Sequence, residues 1–318
     1  MKALVVRPDG FAGVLLAGPA VRAVATLASR VTVMCGPDGA PAARLLPHVD
    51  DVLVWDAPWE PPGPDGEGRL RRLREAGYDV ALVLPPEAHD PLPTARLLRR
   101  ARVARIGARL TGGQRAEGAG GSGHVGPGPA RADGQAGPID VGHRLPPDRP
   151  DAEAALDTAA AMGFAPRPGD DGRLRVVPAP DTTGLTGNGP YVVVHPGSSC
   201  DPDRCRETVA LLADAGHRVV VTGGPGDRAT TRFVADGTAV DLGGRTDPRR
   251  FAGVLRAADA AVTDSAGAAL LTAATGTPVV ALTDRPLPPK APGVRLDPGG
   301  TTARDVRDAV RNILAQGA

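Results

Sequence analysis

The residues best equipped for chemistry sit in four turns between Tyr191 and Leu282. His195-Pro196-Gly197-Ser198-Ser199 closes one apolar run, and Gly223-Gly224-Pro225-Gly226-Asp227 closes the next. Gly243-Gly244-Arg245-Thr246-Asp247 and Asp264-Ser265-Ala266-Gly267 follow in order. Small residues, hydroxyls and free backbone N–H groups dominate these turns. That set suits a phosphate, most simply the diphosphate of a nucleotide. Ser198 and Ser199 offer two hydroxyls to a β-phosphate; the plain alternative is a turn built on Pro and Gly. Ser265 and the N–H groups of Ala266 to Ala268, ahead of a small-residue helix at 268–275, would face an anion along the helix dipole; the plain alternative is an N-cap. His195 reads as a satisfied buried histidine rather than a catalyst.

Gly224 to Ala229 also matches the dinucleotide pattern G-x-G-x-x-A, with Asp227 or Asp241 as a carboxylate for ribose hydroxyls. Pro225 removes an N–H from that turn, and the pattern falls in mid-domain rather than after a first strand. An NAD-dependent oxidoreductase therefore stays only as an alternative. In the first half, Arg7-Pro8-Asp9-Gly10 links a strand to a helix. Asp9 is a candidate general base there, although spacing alone favours a turn or cap carboxylate. His89, at the end of the fourth strand, is the second candidate. His195, Cys200, Cys205 and His217 fit no standard zinc spacing, and no metal is expected. P-loop, H-E-x-x-H and G-x-S-x-G motifs are absent.

The elements that must hold these residues alternate. Apolar runs at 3–7, 31–35, 51–55, 80–84 and 103–106 read as strands, with helices at 14–27, around 42–46, at 68–76 and at 93–102. Residues 151–162 read as a helix and 173–177 as a short strand. The second half repeats the alternation from Tyr191 and ends in a helix at 303–314 capped by Thr301. Strands alternating with helices imply parallel sheets, with ligands at the strands' carboxyl ends. The expected class is α/β, with two Rossmann-like doubly wound domains facing a central cleft. Their bounds are 1–180 and 191–318, joined by a Gly/Thr/Pro linker at 181–190. Residues 112–137 are mostly Gly, Ala, Ser and Pro, and read as a flexible surface insertion.

Composition narrows the partners. The chain has 318 residues and a formal net charge of +1, so no broad basic field draws nucleic acid or anionic lipid. Aromatic content of 3% removes the stacking platforms of single-strand binders. Three cysteines make no disulfide framework, no run reaches membrane-span length, and the N-terminus carries no signal-peptide cleavage region. A reducing cytoplasm is the expected compartment.

Taken in order, these segments resemble the heptosyltransferases, glycosyltransferases of family 9. KALVVRPDGFAGVLLAGPAVRA is similar to that family's first strand, loop and helix. YDVALVLPPEAHDPLPTARLLRRARVARIGA resembles its fourth strand and following helix, and IDVGHRLPPDRPDAEAALDTAAAMGF its segment before the linker. HPGSS, VVVTGGPGD, DLGGRTD and AATGTPVVAL resemble its nucleotide-sugar domain in order and spacing. The resemblance implies a GT-B fold, with the donor on the second half and the acceptor, soluble or lipid-linked, on the first. It further implies inverting, metal-independent transfer of heptose or a related hexose. The donor would be an ADP-sugar, or a GDP-sugar, bound as substrate with no other cofactor. Three departures stand out. The family's Gly-Asp at the end of the first loop reads Ala12-Gly13. Its D-[ST]-G-x-x-H stretch ends in Leu270. Its basic residue after HPGSS is absent, leaving Arg204 or Arg206 to replace it. A nucleotide-sugar-binding relative without catalysis, or a partner of an active enzyme, is the alternative these departures motivate.

Overall fold

The computed structural model describes residues 1–55, 66–86, 89–110, 137–146 and 148–317. The expected insertion at 112–137 lies, but for Gly137, outside the described residues. The chain forms two compact units, Met1–Gly172 and Arg173–Ala318.

In the first unit β1 (Lys2–Val6) is followed by α1 (Phe11–Leu16), α2 (Gly18–Val24) and β2 (Arg30–Cys35). Then come α3 (Ala40–Ala43), β3 (Asp51–Val54), α4 (Gly66–Ala76), β4 (Val80–Val83) and α5 (Leu92–Arg100). β5 (Arg105–Leu110), β6 (Val141–Arg144) and α6 (Asp151–Ala161) complete it. The strands form one sheet in the order β3-β2-β1-β4-β5-β6, and every pairing is parallel. Helices cover both faces, so β1 and β4 read as unbroken apolar runs rather than alternating ones. Leu4, Val6, Met34, Leu70, Leu98 and Ile106 form the core on one face. Each such side chain contributes about 1.5–3 kcal/mol by leaving water.

The second unit holds α7 (Thr183–Thr186), β7 (Val192–His195), α8 (Pro202–Asp214), β8 (Val219–Val221) and α9 (Arg228–Ala235). β9 (Val240–Asp241), α10 (Pro248–Arg256), β10 (Ala260–Thr263), α11 (Ala266–Thr275), β11 (Val279–Leu282), β12 (Gly293–Leu296) and α12 (Ala303–Gly317) follow. Its sheet runs β12-β11-β10-β7-β8-β9, again wholly parallel. Read from the other edge this is the order of the first sheet. Both units are doubly wound, and each reverses its winding direction once: between β1 and β4, and between β7 and β10.

Several local expectations change. The helix expected at 14–27 is two, because the missing N–H of Pro19 is harmless only in the first turn of a new helix. Residues 173–177 form no strand, and β6 and β12 are strands where none was foreseen. The cap of α12 is Thr302, not Thr301: Thr302 accepts from the Asp305 N–H at 3.3 Å, and Asp305 accepts from Thr302 N–H at 2.8 Å.

The segment read as a linker packs on the second unit. Arg218 donates to the carbonyls of Thr186 and Asn188 and lies 5.4 Å over the Tyr191 ring, while Tyr191 Oη donates to Val254 O at 2.7 Å. Pro180 and Thr182 rest directly on α10 at Gly253. A Cβ added there would stand 2.6 Å from Pro180 O and 2.8 Å from Thr182 Cγ2. Backbone oxygen cannot rotate away. Gly253→Ala is therefore expected to destabilise the second unit by about 1–3 kcal/mol, read as a lower urea midpoint at unchanged slope. An unchanged midpoint would show that residues 180–182 are not held against α10.

Candidate functional site

Of the loops singled out in the sequence, those after β1 and β4 in the first unit and after β7 and β10 in the second flank a winding reversal. This is where an open parallel sheet leaves a crevice at the carboxyl ends of its strands.

In the second unit the reversal joins the turn after β7 to the turn after β10. Gly197 N–H donates to Asp264 Oδ1, and Thr263 Oγ1 donates to His195 O at 2.8 Å. Ser265 N–H donates back to Thr263 Oγ1 at 3.0 Å. Only glycine fits at 197, since a Cβ would stand 2.8 Å from Asp264 Oδ1. Asp264 Oδ2 is buried without a hydrogen-bond partner among the described residues. Ser265 caps α11 by accepting from Ala268 N–H at 3.3 Å, so Ala266 and Gly267 present the helix's first free N–H groups. Ser198 and Ser199 are exposed on the neighbouring turn. Two hydroxyls and a helix N-terminus thus share one edge. The α11 helix starts at Ala266 rather than at residue 268, because the Ser265 cap sets the start.

His195 is a packed histidine. Its ring stacks on Phe251 at 4.8 Å between centroids, and Nδ1 pairs with Thr222 Oγ1 at 2.9 Å. Burial pushes its pKa down to about 4, against the opposing charge of Asp227, so the ring is neutral at neutral pH.

The outer turns are held by their own side chains. Gly224 N–H donates to Asp227 Oδ2 at 2.8 Å, closing a short 3-10 turn at Pro225–Asp227. Gly243 N–H donates to Asp241 Oδ1 at 2.9 Å. Both carboxylates proposed for ribose hydroxyls are therefore engaged locally. Gly223 and Gly244 are joined by a 2.9 Å backbone bond, and Gly244 has φ +65°, a conformation that favours glycine. Arg245 is exposed and Thr246 half-buried just beyond it. Arg204 departs from its expected phosphate role. Its guanidinium donates to Pro298 O at 2.7 Å and Thr301 O at 3.3 Å, fastening α8 to the start of α12. Arg206 pairs with Asp236 at 3.4 Å and lies over Phe233.

The first unit's reversal brings together Asp9, after β1, and His89, after β4; the charge of His89 acts on Asp9. Beneath them lies an ion network that sequence reading missed. Arg7, 1% exposed, pairs with both Asp9 and Asp151, and Asp151 at the start of α6 also pairs with Arg109 of β5. The partners are 144 and 42 residues apart, so no local pattern reveals them. Burial raises the Asp9 pKa, and the Arg7 guanidinium only partly offsets it. Burial works in the same direction on Asp151, but Arg7 and Arg109 outweigh it and hold that carboxyl below its ordinary value. One network thus holds two carboxyls shifted in opposite senses. Asp9 also occupies the space beside Gly13. A Cβ built on Gly13 would fall within the Asp9 carboxylate, so the two positions share one side-chain volume.

These features define the class: the fold is GT-B, two doubly wound units with polar turns at each reversal. The model of glycosyltransferase family 9 (heptosyltransferase) matches residues 159–288, a stretch containing all four turns of the second unit. Over that stretch the chain is similar to glycosyltransferase family 9. A glycosyltransferase family 9 structure from Veillonella parvula superposes with TM-score 0.73 at 15% identity, covering 99% of this chain and 97% of that one. ADP-heptose lps heptosyltransferase II of E. coli gives 0.70 at 20% identity, over 100% and 99% of the chains. E. coli heptosyltransferase WaaC with ADP gives 0.66 at 19% identity, over 98% and 97%. At such identities these likenesses speak for the fold. A search of curated proteins gives no match. Among the described residues no helix is long and apolar enough to cross a membrane.

Asp151 should dominate the acid response of the first unit. Its folded pKa lies below the unfolded value, so its stabilisation is present above the unfolded value, about 3.9, and is lost as pH falls through the folded value. Asp151→Asn leaves Arg7 and Arg109 without their shared carboxylate and is expected to cost about 3–5 kcal/mol at pH 7. Thermal unfolding followed from pH 7 to about pH 2 should show the gap between variant and native closing at the acid end. A gap that does not change with pH would exclude the ionic origin.

Proposed function

We propose that the protein moves a sugar, heptose or a related hexose, from a nucleotide diphosphate donor to an acceptor hydroxyl. Transfer inverts the anomeric carbon and needs no metal. The reading rests above all on one observation: each sheet places its candidate polar groups at its own winding reversal, anion-binding groups in the second unit and titratable ones in the first. The donor is an ADP-sugar, with a GDP-sugar second. WaaC was solved with ADP and with ADP-2-deoxy-2-fluoro heptose, which supports this choice.

The roles follow from the chemistry. The Ser198 and Ser199 hydroxyls and the N-terminus of α11 hold the leaving diphosphate as charge builds on it. Asp9 takes the proton of the acceptor hydroxyl as its oxygen attacks. A carboxylate with a raised pKa is better matched to that task than one held low by a full ion pair. Gly13 is what makes room for Asp9. The acceptor, soluble or lipid-linked, binds the first unit. A second reading, donor binding without turnover, is favoured by Arg204 being tied to backbone carbonyls and by Leu270 packing at 8% exposure inside α11. The oxidoreductase reading loses ground because Asp227 already takes the Gly224 N–H that a pyrophosphate would need.

Calorimetric titration with ADP, GDP, UDP and NADH tests the class: ADP or GDP should bind and NADH should not. Binding of NADH alone would overturn the proposal. Ser198→Ala with Ser199→Ala should weaken ADP binding by about 1–3 kcal/mol, and unchanged affinity in the folded double variant would remove these hydroxyls from the site.

Asp9→Asn should lower turnover by on the order of 10²–10⁴-fold with ADP affinity preserved. In the native protein the acid limb of the rate profile should lie above the ordinary carboxylate range, because burial raises Asp9. Full turnover in Asp9→Asn would transfer the role to His89.

A further inference from the structure

Cys200 and Cys205 stand apart from everything assigned above. Cys200 directly follows Ser199, and Cys205 lies in the first turn of α8. Their Sγ atoms are 2.8 Å apart, and both residues are half-buried. Cys35, the third cysteine, is fully buried on β2. Among the described residues no group of three His, Cys, Asp or Glu side chains is placed to hold a metal.

We infer that Cys200 and Cys205 form a peroxide-oxidisable dithiol that closes reversibly to an intramolecular disulfide. The geometry asks little, since a bond of about 2.05 Å needs a further approach of less than one ångström. The two residues also differ in kind. Cys205 packs against the core that contains Val209 and Val306, while Cys200 sits on the open turn beside exposed Ser199. Contact with Cys200 does most to raise the Cys205 thiol, with burial and Asp264 adding to it, so Cys205 keeps its proton. Burial pushes Cys35 up to about 11, against Arg44, and leaves it inert.

The chemistry balances with a peroxide as oxidant. The Cys200 thiolate attacks one oxygen of hydrogen peroxide, the O–O bond breaks, and hydroxide leaves, giving a sulfenic acid. The Cys205 sulfur then attacks the Cys200 sulfur. The S–O bond breaks, and the oxygen leaves as water with the proton from Cys205. In sum, two thiols and one peroxide give one disulfide and two waters, and a dithiol reductant reverses the bond. Closure fastens the Ser198–Ser199 turn to α8. This consequence rests on the donor reading, whereas the bond itself does not. A turn fixed in place has less freedom to lose on binding, so the oxidised protein should bind ADP about three- to tenfold more tightly.

The test treats the native full-length chain with a small excess of hydrogen peroxide, followed by intact-mass and peptide mass spectrometry. The expected result is loss of two hydrogen masses, a Cys200–Cys205 cross-link, a free Cys35 and full reversal by dithiothreitol. In Cys205→Ser a sulfenic acid at Cys200 should be trapped by dimedone with no internal cross-link. Unreacted thiols, cross-links between chains, or direct overoxidation of Cys200 in the native protein would overturn the inference. ADP titration of both redox forms completes the test. Equal or weaker binding by the oxidised form overturns the coupling, while no ADP binding by either form overturns the donor reading and leaves the dithiol assignment standing.

Discussion

The constraint on which everything else depends is parallel strand pairing with both faces of each sheet covered. A parallel strand cannot be reached by a tight hairpin; the chain must cross over, and helices make most of the described crossovers, while β11 reaches β12 through residues 283–292 without one. Every strand therefore delivers its following turn to the same edge of its sheet. Winding first one way and then the other parts two adjacent crossovers, and the turns that flank the parting are free to receive a ligand. In the first unit these turns belong to β1 and β4, and in the second to β7 and β10. The polar residues lie at those turns because the rest of each strand is committed to the core. Val192–His195 is buried up to its last residue, and chemistry begins where burial ends.

The two reversals are built with opposite electrostatics. The second unit presents neutral dipoles at its reversal, namely hydroxyls and helix N–H groups, and keeps its nearby histidine uncharged by burial. The first unit buries fixed charge. Burying Arg7 is costly unless carboxylates surround it, and Asp9 and Asp151 supply them. Asp151 meets two guanidinium groups and is held ionised. Asp9 shares one guanidinium, lies near Asp151, and comes out raised. Their different behaviour follows from their surroundings: Asp151 is hydrogen-bonded by two guanidinium groups, whereas at Asp9 burial and the charge of Asp151 outweigh one guanidinium.

Much of this was legible in the sequence for reasons that can be named. Buried parallel strands are unbroken apolar runs, and the Gly- and Ser-rich turns follow them directly, so the alternation and the four turns of the second unit could be read. Short edge strands could not: β6 and β12 carry Gly, His or Arg and are strands only because a neighbour pairs with them. Arg204 looked like a phosphate ligand because it follows HPGSS, and nothing local reveals that its partners are carbonyls 94 and 97 residues away. Asp227 and Asp241 were ambiguous as ribose ligands because an Asp in a Gly-rich turn serves equally well to close that turn, and this is what both do. The stretch at 181–190 had linker composition, yet Arg218 and Tyr191 fix it to the second unit.

The exchange of volume between Asp9 and Gly13 shows why a site is better compared by space than by alignment. Position by position, the sequence lacks a carboxylate at 13, which reads as a loss. In space the first turn of α1 is lined by a carboxylate all the same, reaching in from four residues earlier, and the missing side chain at 13 is the condition for it. A carboxylate added at 13 would not add a second group to the site; it would have to displace the one present, and with it an ion pair of Arg7. Arg7 would then depend on Asp151 alone, and Asp151 is already shared with Arg109. The glycine at 13, the aspartate at 9 and the buried arginine at 7 therefore form one unit, and a change at any of them has to be read through the other two.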